Sequence, residues 1–261
     1  MNGVATVALN GHPTWFTRGR GRGTKVVLLH GGLSSSASPL RSIGPRLAEE
    51  FRVAAFDRRG HGRTADTVEP FHYEEMATET IAFLEFLGGR SHLVGHSDGG
   101  IVALLTALRR PDLVRRAVAV GANFHHDAVA TSGSLTFEGP DFEEWAEKFG
   151  AQSPDGAAHA RVVADKSLTL FATEPNMSAT DFAMMSRPVL VMSGDDDVVP
   201  LAHSIALYES MPDAQLAVVP GSSHAVLKER PAESARIIRR FLTQRLPPMT
   251  LQPVRRTTSG S

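Results

Sequence analysis

Three positions in this sequence carry the residue types that nucleophilic attack on a carbonyl needs: Ser97, an aspartate within residues 195–197, and His224. A serine hydroxyl attacks only when a base removes its proton, and a histidine base needs an acceptor on its other ring nitrogen. Ser97 lies at the centre of a Gly-x-Ser-x-Gly pentapeptide. The sequence therefore predicts a serine nucleophile, a histidine base and an aspartate that orients the base.

The residues around Ser97 predict a strand, a sharp turn and a helix. A short apolar run ends at Val94, and residues 101–108 have the apolar character of a buried helix. Gly95 and Gly99 carry no Cβ, so the strand and the helix can approach closely while Ser97 stays at the carboxyl end of the strand. The alternative is an ordinary glycine-rich turn without a catalytic role.

The candidate acid and base each follow a predicted strand. Residues 188–192 form the strand before the three aspartates, and residues 215–219 form the strand before His224. The carboxyl ends of parallel strands meet at one edge of a sheet, which is where such sheets build their sites. At least one of the aspartates is explained as a cap of the helix that begins at Leu201. We expect no metal site in this turn, because a hard cation needs more oxygen ligands.

The order of the predicted elements indicates an α/β fold. Short apolar strands alternate with helices of ten or more residues, which predicts a mostly parallel sheet of about eight strands flanked by helices. Residues 1–122 and 187–246 are assigned to this core. Residues 123–186 contain glycines, prolines and scattered aromatic residues, and they predict an inserted helical lid. Residues 247–261 are polar and interrupted by proline, and they predict a flexible C-terminal tail.

Composition excludes several classes of function. The net charge is −1 and no long basic stretch is present, so we expect no nucleic-acid partner. The chain has no cysteine, which excludes disulfides, thiolate zinc sites and a cysteine nucleophile. Neither a secretory signal nor a long apolar window is found, so we expect a cytoplasmic protein without a membrane segment. We expect no cofactor and no metal; His125 and His126 are adjacent and are expected to point apart.

These motifs resemble the α/β-hydrolase superfamily over essentially the whole chain. The resemblance implies that Asp197, three residues after Gly194, is the acid of the triad, with Asp196 as the alternative. It also implies an oxyanion hole formed by the backbone N–H groups of Gly32 and Asp98, with Leu33 as the runner-up to Gly32. The histidines of the neighbouring loops, His30 and His61, are then structural.

Within that superfamily, residues 95–100 and 121–123 are most similar to the biphenyl-hydrolase-like enzymes, which cleave amino acid esters. The resemblance implies that the Asp98 side chain holds a substrate ammonium group. Leu33, Asn123 and Phe124 complete the predicted substrate-binding residues. Residues 123–186 contain ten acidic and three basic residues, and an acidic rim over an apolar pocket favours a small amine. Solvated helix faces explain the same acidic residues equally well.

The expected function is that of a serine hydrolase that cleaves small carboxylic esters or amides through an acyl-enzyme, with amino acid esters as a candidate subclass. A cofactor-free perhydrolase and a carbon–carbon bond hydrolase would use the same triad. A ligand receptor with slow turnover is the alternative from another class, because fold and triad do not determine turnover. In each case the partner is a small molecule.

Overall fold

A computed structural model of the chain describes residues 3–19, 23–129, 136–245, 248 and 250–252, and eight strands within them form one sheet. The strands are β1 Gly3–Leu9, β2 His12–Arg18, β3 Lys25–Leu29, β4 Arg52–Phe56, β5 Ser91–His96, β6 Val114–Val120, β7 Val189–Asp196 and β8 Ala214–Ser223. Their order across the sheet is β1-β2-β4-β3-β5-β6-β7-β8. The pairs β1·β2 and β2·β4 are antiparallel, and all other pairs are parallel. The predicted mostly parallel sheet is confirmed.

Helices cover both faces of this sheet. They are α1 Ala37–Ser42, α2 Gly44–Leu47, α3 Tyr73–Phe86, α4 Asp98–Arg109, α5 Gly139–Gly150, α6 Ala160–Thr173, α7 Leu201–Ser210, α8 Val226–Glu229 and α9 Pro231–Thr243. In β3, Val27 and Leu29 pack into the core on one face, and Val26 and Leu28 pack into the core on the other. Burial on both sides explains why the central strands are continuous apolar runs. Among the described helices, none has both the length and the apolar character that crossing a membrane requires.

The segment between β6 and β7 is helical where it is described. It contains α5, α6 and three short 3₁₀ helices, His126–Ala128, Ala157–His159 and Ala179–Met184. Its described residues form one isolated β-bridge, between His125 and Asn176. The division into a core and a lid stays a prediction. Residues 130–135 and most of the predicted tail, 247–261, lie outside the described residues.

Two glycines allow α4 to pack directly on the sheet. A Cβ at Gly95 would lie 1.9 Å from the backbone oxygen of Gly99, and a Cβ at Gly99 would lie 2.3 Å from that of Leu29. Both distances are below any real contact of a Cβ, so a larger residue at either position would push the helix away from the strands. This close approach places Ser97, the residue between β5 and α4, at the carboxyl edge of the sheet.

Candidate active site

Ser97 adopts a backbone conformation that is unfavourable for a residue with a side chain. Its φ is 55° and its ψ is −124°, and such conformations cost about 1 to 3 kcal/mol. Hydrogen bonds hold it there: its N–H donates to the oxygen of Val120 at 2.8 Å, and its carbonyl accepts from the N–H of Gly100 at 2.7 Å. The surrounding structure therefore stabilises a strained turn that presents the serine side chain.

His224 and Asp197 meet beside this turn. Nδ1 of His224 lies 2.8 Å from Oδ1 of Asp197. The same carboxylate accepts hydrogen bonds from the N–H of Val199 at 3.0 Å and from the hydroxyl of Ser193 at 3.3 Å. Burial opposes ionisation of Asp197, but the hydrogen bond and charge of His224, together with the hydrogen bonds from Val199 and Ser193, outweigh burial, so the pKa of Asp197 is lowered. A charged acceptor therefore lies against one ring nitrogen of the histidine.

The neighbouring aspartates have other surroundings. Asp195 accepts a hydrogen bond from the backbone N–H of Ser222 at 3.0 Å and so joins the ends of β7 and β8. Asp196 is exposed and is the sheet partner of Ser223. Of the three aspartates, Asp197 is the one that contacts His224.

A cavity of about 390 Å³ lies over Ser97. Five of the predicted site residues line it together, although they come from distant parts of the chain: Gly32, Ser97, Asp98, Asn123 and His224. The arrangement brings a hydroxyl, an imidazole, a carboxylate and two candidate backbone donors to one concave site. That combination supports acyl transfer.

Gly32 lies where no larger residue fits. A Cβ at this position would lie 2.4 Å from the ring of Phe171 and 2.7 Å from Oδ2 of Asp98. The loop that follows β3 therefore passes between α6 and the first residue of α4. This close passage puts the backbone of residue 32 beside Ser97, with both residues lining the cavity.

The Asp98 carboxylate has partners inside the protein. Oδ1 accepts a hydrogen bond from the hydroxyl of Tyr73 at 3.1 Å, and Oδ2 lies 3.9 Å from Nη2 of Arg58. Burial raises the pKa of Asp98, against the opposing effects of Arg58 and Tyr73. Arg58 is itself buried and donates to the backbone oxygens of His30 at 2.6 Å and Gly31 at 3.1 Å. Asp98 thus neutralises the cation that holds the loop before Gly32.

Two predicted substrate-binding residues lie outside the cavity over Ser97. Leu33 lines a neighbouring cavity instead, and its carbonyl accepts a hydrogen bond from Nε1 of Trp145 at 2.7 Å. The ring of Phe124 stacks on that of His203, with centroids 3.8 Å apart, and its N–H donates to Nε2 of His203 at 3.0 Å. Both residues therefore connect the segment between β6 and β7 to the rest of the chain. The sequence does not reveal which way these loops turn, and a role of the two residues in substrate binding stays a prediction.

Several residues that line the cavity were not predicted from the sequence: Tyr73, Val129, Phe171, Glu174, Val198 and Val199. Val198 and Val199 follow Asp197 directly, so their position beside the acid could have indicated them. Glu174 follows α6, where its carboxylate accepts from the N–H of Tyr73 at 3.0 Å and lies 2.6 Å from Nδ1 of His72. No local pattern distinguishes this glutamate from the other acidic residues between β6 and β7.

The side chains of the adjacent histidines His125 and His126 do not point apart, contrary to the prediction from the sequence. The rings of His125 and His126 stack with centroids 4.6 Å apart and an interplanar angle of 24°. Side chains of neighbouring residues point apart in a strand, but His126 begins a 3₁₀ turn. Together with Asp127 they form a group, found among the described residues, whose candidate ligand atoms lie within 4.8 Å of one another. The group is partly exposed and lies outside the cavity over Ser97.

Comparison with known proteins finds a matching family and several hydrolases that are similar to this chain. The alpha/beta hydrolase family matches residues 26–237. The putative carbamate hydrolase RutD of Rhizobium rhizogenes is 28% identical over 245 residues, which cover 85% of this chain and 94% of that protein. The mouse serine hydrolase BPHL is 28% identical over 258 residues, covering 91% and 86%. A meta-cleavage product hydrolase of Pseudomonas fluorescens IP01, CumD, superimposes with a TM-score of 0.71 and 25% identity, covering 90% and 96%.

Proposed function

Because the chain belongs to the alpha/beta hydrolase family, we propose that it is a serine hydrolase that cleaves small carboxylic esters or amides through an acyl-enzyme. One observation carries the proposal: Nδ1 of His224 lies 2.8 Å from Oδ1 of Asp197, beside a cavity that both His224 and Ser97 line. Ser97, His224 and Asp197 are then the nucleophile, the base and the acid that orients the base.

The reaction has two steps. The hydroxyl oxygen of Ser97 attacks the carbonyl carbon while Nε2 of His224 accepts the hydroxyl proton. His224 then gives this proton to the departing alcohol or amine, and the acyl group stays on Ser97. Water attacks the acyl-enzyme with His224 again as the base, which releases the acid and restores the serine. Asp197 keeps its charge and stabilises the protonated imidazole throughout.

The negative oxygen that develops in both steps needs donors. We propose the backbone N–H groups of Gly32 and Asp98 as these donors, because both residues line the cavity. A preorganised donor of this kind contributes roughly 3 to 4 kcal/mol to the stability of the transition state. The hydrogen bonds of Arg58 to His30 and Gly31 support the loop that carries the first donor.

The cavity favours a small substrate, and its charges favour an amine. Its volume of about 390 Å³ is near the lower end of ligand pockets. Two carboxylates, those of Asp98 and Glu174, line it. Arg58 lies 3.9 Å from Asp98 and balances its charge. Glu174 instead has the N–H of Tyr73 and a ring nitrogen of His72 as its partners, so it adds a second carboxylate that is not paired with Arg58. Amino acid esters are therefore the subclass that we propose, in agreement with the similarity to BPHL.

Similarity to the meta-cleavage product hydrolase favours one second candidate. The same three residues would then serve a hydrolase of carbon–carbon bonds in ring-cleavage products. Such a substrate carries a carboxylate, which the acidic residues Asp98 and Glu174 disfavour. Turnover of a ring-cleavage product faster than of any ester would support this candidate over the first.

The test is a panel of activated esters, amino acid esters, amides and lactones, followed by mass spectrometry of the peptide that contains Ser97. We expect many turnovers per enzyme molecule and an acyl adduct on Ser97 in rapidly quenched samples. Ser97→Ala should keep the fold and lower kcat by about 10⁴- to 10⁶-fold. Near-wild-type turnover by the folded variant would refute the proposal, and a single acylation without turnover would indicate a receptor.

A further inference from the structure

A second cavity, of about 560 Å³, lies between the core and the lid helix α5. Four basic side chains line it, and we call it the basic cavity: Arg41, Arg46, Lys148 and Lys228. It shares no lining residue with the cavity over Ser97. The backbone separates the two, since Gly32 lines one and Leu33 lines the other. The basic cavity is thus a different site from the proposed catalytic one.

The positive charge in the basic cavity is largely uncompensated. Its lining includes no aspartate or glutamate. Within the described part of the chain, no carboxylate lies within 4.0 Å of the charged groups of Arg41, Arg46 or Lys228, whereas Lys148 pairs with Glu144. His61 also lines the cavity, but burial lowers its pKa to about 4, so it is neutral at pH 7. Cations that converge on a concave surface repel one another and attract an anion.

The walls of the basic cavity differ in chemistry. The lid contributes Trp145 and Phe149, and Leu33 and Pro231 add further apolar surface. The indole is held in place, because its Nε1 donates to the carbonyl of Leu33 at 2.7 Å. The core side adds four serines to the cations, of which Ser42 donates its hydroxyl hydrogen to the backbone oxygen of Ser38: Ser34, Ser35, Ser38 and Ser42. A ligand that fits both walls has a flat apolar body and a strongly anionic group that accepts several hydrogen bonds.

We propose that the basic cavity binds a small aromatic phosphate ester. A phosphate dianion matches two arginines, because the guanidinium group binds phosphate oxygens in pairs. The aromatic body lies against Trp145 and Phe149. This ligand has the opposite charge to the amine that the carboxylates over Ser97 favour, so it is a second ligand and not the substrate. It contacts the lid helix and the loop of Leu33, next to the proposed oxyanion donor Gly32.

The test is calorimetric titration of the intact protein with 1-naphthyl phosphate at low ionic strength. We expect saturable binding at least tenfold tighter than that of inorganic phosphate, which lacks the aromatic ring, or of 1-naphthol, which lacks the phosphate group. 1-Naphthoate, with a single negative charge, should bind at least threefold more weakly than the phosphate ester. Equal affinity for naphthoate would contradict the assignment to phosphate, and the lack of saturable binding would overturn the proposal.

Two double variants that each remove two arginine charges test whether the ligand binds in the basic cavity. Exposed cations contribute little individually, so Arg41→Gln and Arg46→Gln should each weaken binding by about two- to fivefold and the double variant by about tenfold. The control is the double variant Arg90→Gln/Arg236→Gln, which removes two exposed cations outside both cavities. It should change the affinity less than twofold. Equal losses in the two double variants, or no loss in either, would contradict binding at this site.

Discussion

The imidazole of His96 lies against that of His224, with ring centroids 4.9 Å apart and planes inclined by 45°. Nε2 of His96 is 2.7 Å from the backbone oxygen of His224, so its N–H donates to that carbonyl. Burial, together with the charge of His224, lowers the pKa of His96 to about 4. His96 is therefore neutral at pH 7. The residue before the proposed nucleophile thus holds the loop that carries the proposed base.

A positioning role for His96 predicts a specific effect on turnover. His96→Phe keeps the ring but loses the donor, so kcat should fall by about tenfold, the equivalent of one ordinary hydrogen bond. His96→Gln restores an N–H donor and should recover most of the loss, with KM nearly unchanged in both variants. Steady-state kinetics on one ester measure this. Equal kcat values in the two variants would indicate packing alone.

The assignment of the acid predicts unequal effects of three similar substitutions. Asp197→Asn should lower kcat by about 10⁴-fold, because the amide no longer fixes the productive form of His224. Asp195→Asn and Asp196→Asn serve as matched controls and should lower it less than threefold. Kinetics under one set of conditions, with circular dichroism as a folding check, decide between them. A larger loss at Asp196 would move the assignment by one residue.

Selection of an amine predicts a change in the ratio of two substrates. Glu174→Gln should lower kcat/KM for an α-amino ester by about three- to tenfold more than for the matched ester without the amine, because a partly exposed carboxylate is screened. Asp98→Asn leaves Arg58 without its counter-ion and should also lower the ratio. If both variants leave the ratio unchanged, the carboxylates do not select the substrate, and the hydrolase assignment stands.

The contact between β5 and α4 predicts that Gly95 tolerates no side chain. Gly95→Ala places a Cβ where the Gly99 oxygen lies, so the variant should lose about 3 kcal/mol of stability or more, or fail to fold. Gly44→Ala is the control, since a Cβ there meets its nearest atom at 3.6 Å. The control should unfold within about 1 kcal/mol of wild type. Equal melting temperatures of both variants would contradict the close approach.

The burial of His92 predicts a loss of stability in acid. Burial, with the charges of Arg116 and Arg115, lowers its pKa from 6.5 to about 4. As the pH falls, the His92 imidazole is protonated in the unfolded chain before it is protonated in the folded protein. The contribution of the neutral, buried imidazole to the free energy of unfolding is therefore complete above pH 6.5 and is lost as the pH falls from 6.5 towards 4. The loss is about 2 to 3 kcal/mol. Urea unfolding of His92→Asn should show a correspondingly shallower fall than wild type over this range, and identical pH profiles would contradict the prediction.

The sequence alone determined the layout of the protein. Alternating apolar strands and helices predicted the sheet, because the period of hydrophobic residues is a local property. The glycines at 95 and 99 predicted a tight turn around Ser97, because the identity of a residue without a Cβ is known from the sequence alone. The loops that contain Asp197 and His224 were predicted at one sheet edge for a similar reason, since parallel strands end on the same side.

Only the tertiary structure decided which side chains meet. The contact of His224 with Asp197, and not with Asp196, depends on the register of β7 with β8 and on how both loops turn after their last paired residues. Arg58 and Asp98 are 40 positions apart, and their pairing follows from packing that no local period encodes. The same is true of Glu174 over Ser97 and of the cations in the basic cavity, because helices and loops far apart in the chain are brought together by burial of the shared core.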